Sequence, residues 1–207
     1  MLTLEHAMNQ PLNKEERARL RRDQIITAAR ICFRNHGFHG AGMAEIAQMS
    51  SLSVGQIYRY FTNKDAIIEE IVRRIVEKKV SRMQLKQGAM SEMAHRLSHR
   101  ILMGEQDEGE IDRALMLEVA AEATRNPTVA RILREADDRL SSQSMELLMA
   151  TYPHLSKEQL AARAEFIAVM CEGTAFRVRN NQKADPDLLN TLYFSIFSTI
   201  LPASDKP

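Results

Sequence analysis

What this chain has little of narrows its possibilities first. It has two cysteines in 207 residues, and Cys32 and Cys171 stand far apart with no C-x-x-C pair, as a reducing cytoplasm would permit. Long apolar runs are missing as well. The N-terminus has no apolar core of a secretory signal, and the most apolar late stretch, Leu188 to Leu201, is interrupted by Asn190, Thr191, Ser195 and Ser198. A cytoplasmic protein without a membrane segment is expected. No G-x-S-x-G, P-loop, H-E-x-x-H or dinucleotide fingerprint is found. No enzyme, and no cofactor or metal, is therefore expected. Strand-like alternation, repeats and low-complexity tracts are absent too, and 44% hydrophobic content is ample for a core. The expected class is all-α, with about nine helices.

The net charge of +1 conceals an uneven distribution. Residues 1 to 64 hold nine Lys or Arg against five Asp or Glu, and the remainder holds 19 against 22. A basic end on a near-neutral chain suits selective duplex binding better than a general polycation does. That end contains the run Gly42 to Lys64, G-M-A-E-I-A-Q-M-S-S-L-S-V-G-Q-I-Y-R-Y-F-T-N-K. Met43, Ile46 and Ala47 share one face of a short helix, Leu52 sits in a turn, and Val54, Ile57 and Phe61 share one face of a second helix. Ser53 with Gln56 makes a capping box, so the second helix should begin at Val54. A helical wheel points Gly55, Gln56 and Arg59 away from the core, with Tyr58 and Tyr60 on the flanks. Gln and Arg can each make paired hydrogen bonds to base edges. Gly55 would allow close approach, and Ser53, Tyr58, Tyr60 and Lys64 would reach phosphates, Lys64 together with the N–H groups of the next helix. The basic segment Lys14 to Arg22 either lies along a phosphate backbone or minor groove or is a solvated helix start.

At Ile46 to Lys64 the sequence resembles the DNA-binding signature of the tetracycline-repressor (TetR) family of bacterial transcription factors. Ile46, Ala47, Ser53, Gly55, Tyr58, Tyr60, Phe61 and Lys64 match, preceded by the Gly37-Phe38 that commonly closes the family's first helix. Two positions depart from the pattern. Ser51 stands where the family usually has Gly, which costs little if the turn needs no strongly positive φ, and Gly42 replaces the usual capping Thr. The resemblance implies a three-helix N-terminal bundle carrying the helix-turn-helix, over residues 1–62. A C-terminal effector-binding and dimerisation domain would occupy 63–207.

The rest of the chain is legible from its caps. A helix opening at Thr62 or Asn63 should run toward Lys86 and link the two parts mechanically. Others are expected over about 90–104, 110–125 after an acidic loop from Gly104 to Gly109, 127–152 after Asn126-Pro127, 156–181 after Ser156 with Gln159, and 186–201 after Asp185-Pro186. The last two are apolar on more than one side. In the resembled family they pair with their copies in a four-helix bundle, which implies a homodimer and a near-palindromic operator.

Eight of the 12 methionines lie between Met83 and Met170. Clustered methionine lines adaptable apolar pockets, and the family places its effector pocket in this part of the chain. Met83, Met93, Leu97, Met116, Met145, Met149, Phe166, Met170 and Phe176 are the candidate lining. Ordinary core filling is the alternative for any one of them. Glu118 and Glu122, four apart on one helix, would suit a cationic effector if turned inward, or would pair with Arg125. Glu92, His95 and His99 have a spacing open to a metal but fall on the wet face of their helix. Cys171 in an apolar helix should keep a high pKa, which argues against a thiol sensor. The function expected is a dimeric, ligand-responsive repressor released from its operator by a small apolar, aromatic or cationic effector. An effector-independent architectural DNA-binding protein is the alternative.

Overall fold

The computed structural model describes residues 13–83, 89–101, 106–177 and 183–201. Among them are nine α-helices: α1 (Lys14–Gly40), α2 (Met43–Met49), α3 (Val54–Tyr58), α4 (Lys64–Arg82), α5 (Ala89–Ser98), α6 (Gln106–Ala123), α7 (Pro127–Thr151), α8 (Lys157–Ala175) and α9 (Pro186–Ile200). The expected continuation of α4 to Lys86, Met103 and the end of α8 near Asn181 fall outside the described residues.

The caps explain the boundaries. Asn13 and Glu16 form a capping box at the start of α1, and Ser156 and Gln159 form another at α8. Asn126 and Asp185 cap α7 and α9, each with proline in the first turn. At α4 the cap is Asn63 and not Thr62, since the Asn63 side chain accepts from the Ala66 N–H at 2.8 Å. The helix α6 begins at Gln106, so residues 106–109 of the expected acidic loop are helical. α1 is interrupted near its end by Gly37 at φ 66 and ψ 175, a conformation open essentially to glycine alone.

The contacts divide the chain into two compact units, Met1–Ile71 and Val72–Pro207. This division falls inside α4, which contributes residues to both units. In the first unit Ile25, Ile26, Ala29, Cys32 and Phe33 of α1 are buried with Ile46, Ala47, Ile57, Phe61, Ile67 and Ile68. Phe33 meets Phe38 edge to face at 4.8 Å between ring centroids. In the second unit α5 packs on α9, and α7 packs on both α6 and α8. Its interior has two apolar clusters, one around Ala94, Leu97 and Phe197, the other around Leu148, Tyr152, Leu160 and Leu201. Met90, Ile167 and Ile200 pack against both. Arg163 of α8 donates to the Ile200 carbonyl at 2.6 Å and so closes the end of α9.

Candidate nucleic-acid interface

The helix-turn-helix is held by its turn. Past the end of α2 the Leu52 N–H donates to the Ala47 carbonyl at 3.0 Å and the Ser51 N–H to the Gln48 carbonyl at 3.1 Å. This is the Schellman closure, which needs a left-handed residue between helix end and exit. Ser51 supplies it at φ 54. The expectation that serine is tolerated because the turn avoids positive φ is thus corrected: the turn demands it, and serine adopts it under strain. The Gln24 side chain donates to the Ser50 carbonyl and pins the turn to α1.

α3 spans five residues, with Arg59 as its C-cap. Its start carries the expected capping box: the Ser53 hydroxyl accepts from the Gln56 N–H at 3.2 Å, and the Gln56 side-chain oxygen accepts from the Ser53 N–H at 2.8 Å. Ser53, Gly55, Gln56, Tyr58 and Arg59 are exposed, and Tyr60 is half-buried. A Cβ added at Gly55 would meet nothing within 4 Å, so glycine there serves no packing need within the chain. The outward face predicted from the wheel is the outward face observed. Gln56 has a double duty, because its carbonyl oxygen already serves the cap and its NH2 donors remain to face outward.

Two cations read as contacts for phosphate are tied to the protein itself. The Lys64 ammonium donates to the carbonyls of Phe38 and Ala41, closing the turn after Gly37. Arg22 donates to the Tyr60 carbonyl at 2.9 Å, lies 3.6 Å from the carboxylate of Glu70, and stacks its guanidinium 4.4 Å over the Phe61 ring. These contacts fix the exit from the recognition element.

Comparison with known proteins places this geometry. Residues 25–71 match the description "Bacterial regulatory proteins, tetR family", and residues 91–199 match "BetI-type transcriptional repressor, C-terminal". The chain belongs to the tetR family. It is 30% identical over 122 residues to the transcriptional regulator UidR of Escherichia coli strain K12, an alignment spanning 59% of this chain and 61% of UidR. It is likewise 30% identical over 162 residues to the regulator BetI of Stenotrophomonas maltophilia, over 76% of this chain and 81% of BetI. Among solved structures, Salmonella enterica GusR superposes with a TM-score of 0.74 at 22% identity, covering 93% of this chain and 99% of that one. The relatives are transcriptional regulators and not enzymes. No helix among the described residues is long and apolar enough to cross a membrane.

In the C-terminal unit of this tetR-family chain the expected pocket residues do not all converge. Met93, Leu97 and Met170 come together around Phe197, with Cys171 beside them. Met145 belongs to the other cluster, and the Met83 sulfur receives the Ser144 hydroxyl at 3.8 Å. Met116 is half-buried. Met149, Phe166 and Phe176 are instead exposed, Phe176 at 70%, and so line no interior space of the single chain. Phe166 and Phe176 share α8 and its cap with exposed Val169, and α9 exposes Leu188, Leu192 and Phe194. Glu122 is buried, paired with Arg125 at 2.8 Å and 3.4 Å from the Asn126 amide, so it braces the α6–α7 connection. Glu92 pairs with Arg96 at 2.6 Å, while His95 and His99 stack at 4.1 Å. Burial pushes the Cys171 thiol up to about 11, with Glu172 adding to the effect and Lys79 opposing it.

Proposed function

We propose that this chain is a homodimeric, ligand-responsive transcriptional repressor that binds a near-palindromic DNA operator. The observation that carries the reading is the outward face of α3: exposed Gly55, Gln56 and Arg59 on a helix whose other side is locked into a core, flanked by Tyr58 and Tyr60. Gly55 lets the helix lie close to the base edges, Gln56 and Arg59 read them, and Ser53, Tyr58 and Tyr60 hold the phosphates on either wall. Lys64 acts beneath this surface, as the staple of the α1 turn.

Dimerisation is through α8 and α9, whose exposed Phe166, Val169, Phe176, Leu188, Leu192 and Phe194 are too many apolar side chains for an unpartnered surface. The effector is a small apolar or aromatic compound accepted among Met93, Leu97, Met170 and Phe197. A cationic effector has less support, since Glu122 is engaged with Arg125. α4 contributes residues to both units, so effector binding that shifts α4 alters the fit of the two recognition helices to their half-sites.

The test is selection from random duplexes by the purified protein, repeated with lipophilic cations, aromatic acids and acyl compounds present. A near-palindrome released by one compound class supports the proposal. Retention of duplexes without sequence enrichment would replace it with an architectural DNA-binding protein.

A further inference from the structure

The basic start of α1 was left open by the sequence, and the structure gives it a place. Lys14, Arg17 and Ala18 lie at the i, i+3 and i+4 positions of α1, and so on one stripe of the helix. That stripe forms one wall of an open groove of about 480 Å³, completed by Asn13 at the helix start and by Arg59 and Tyr60 at the end of the recognition element. Three cationic side chains and a phenol therefore line a single concavity, with small Ala18 among them. Glu16 lies in the same first turn but accepts the Asn13 N–H at 2.9 Å as part of the capping box. The groove is several times larger than one phosphate group, is open on one side, and brings its cations from two separate elements. A chain-like polyanion can enter such a groove along its length.

We propose that this groove is a clamp for the DNA phosphate backbone, in which Lys14 and Arg17 grip the phosphodiester that flanks the point where Arg59 enters the major groove. The clamp rests on the DNA-binding reading of α3 for its orientation. Its contribution is independent of sequence, because phosphate contacts set register and affinity and do not read bases.

Lys14→Met and Arg17→Lys are compared with the wild type on a selected duplex and on a random duplex, across a series of salt concentrations. Circular dichroism and thermal unfolding confirm that each variant is folded. Lys14→Met is expected to weaken both duplexes by the same factor and to reduce the salt dependence of binding by about one counterion. Arg17→Lys, which keeps the charge, should retain the wild-type slope. An unchanged slope for Lys14→Met, or loss on the selected duplex alone, would overturn the clamp. A second arm adds inorganic phosphate at constant ionic strength. If phosphate binds the wild type in a calorimetric titration, fails to bind Lys14→Met, and displaces no random duplex from the wild type, the groove is a site for a free phosphate compound and the backbone assignment fails; Lys14-dependent displacement supports the clamp. Should the wild type select no sequence while Lys14→Met still flattens the slope on random duplex, the clamp stands and the operator reading falls.

Discussion

Replacing Ser51 with glycine should strengthen the helix-turn-helix without touching its DNA-facing surface. Ser51 holds φ 54 because Leu52 and Ser51 must turn their N–H groups back onto α2. A left-handed conformation costs an L-residue about 1–2 kcal/mol, and glycine is relieved of nearly all of it. Glycine loses about 0.5–1 kcal/mol more backbone entropy on folding, which offsets part of the gain. The net expectation for Ser51→Gly is a stabilisation of about 0.5–1 kcal/mol. Because the Ser51 side chain is exposed, its removal sacrifices little packing. The suitable assay is native-state hydrogen exchange at the Leu52 amide, bonded to Ala47 at 3.0 Å, since this turn can open without the whole chain unfolding. Exchange should slow about two- to five-fold, the factor that corresponds to this energy. Ser51→Val, which forces a β-branched residue into the same conformation, should accelerate it. Faster or unaltered exchange in Ser51→Gly would refute the assignment of strain to this residue.

The same geometry sets three further outcomes. Gly55→Ala should leave the fold intact, or more stable by up to about 1 kcal/mol from helix propensity, yet lower affinity for the selected duplex in a fluorescence anisotropy titration; retained affinity would show that nothing approaches Gly55 closely. Lys64→Met should lower thermal stability, losing charged hydrogen bonds worth about 1.5–3 kcal/mol each, while keeping the wild-type salt slope of DNA binding; a flattened slope at unchanged stability would return Lys64 to the phosphate contacts. At about pH 9, Cys171, raised to about 11 by burial, should react with iodoacetamide about fifty-fold more slowly than an ordinary thiol, as measured by mass spectrometry of the labelled peptide. The raised value also has a sign for stability: the contribution of Cys171 is intact below the pKa of the unfolded thiol and is lost as pH rises toward 11.

The parts of this molecule that were legible in the sequence are those whose cause is local. Ser53 and Gln56 define the start of α3 because a capping box is made within four residues. Asn126-Pro127, Ser156 with Gln159, and Asp185-Pro186 work in the same way for α7, α8 and α9. Ile46, Ala47, Ile57 and Phe61 are buried where their spacing puts them. What escaped has a partner that carries no sequence mark. Lys64 finds backbone carbonyls 26 and 23 residues away, and Arg22 finds one 38 residues away. Every residue owns a carbonyl, so nothing in the string distinguishes a cation that will cap a helix from one that will reach a phosphate. Ser51 was obscure for the opposite reason: its conformation is imposed by the closure of α2, and serine advertises no such demand. The apolar residues of α8 show a third limit. Phe166 and Phe176 are expected to line a pocket but are exposed on the single chain, because periodicity does not say which apolar faces a chain covers itself.

Arg22 makes the mechanical effect of one such hidden contact concrete. Its guanidinium donates to the Tyr60 carbonyl at 2.9 Å, stands 3.6 Å from Glu70 on α4, and covers the Phe61 ring. Glu70 is buried, so its carboxylate has little water to turn to if the arginine leaves. The planar fork of arginine can hold a carbonyl and a carboxylate at once, which a lysine could not do with fixed geometry. One side chain of α1 therefore ties the end of the recognition element to α4. A displacement of α4 relative to α1 acts on the same guanidinium that holds Tyr60, and Tyr60 comes immediately after Arg59. The orientation of the outward face of α3 is thus fixed jointly by the core beneath Ile57 and by the position of Glu70. Ile67 and Ile68 of α4 belong to that same core, so Glu70 and the packing beneath Ile57 are coupled through one helix.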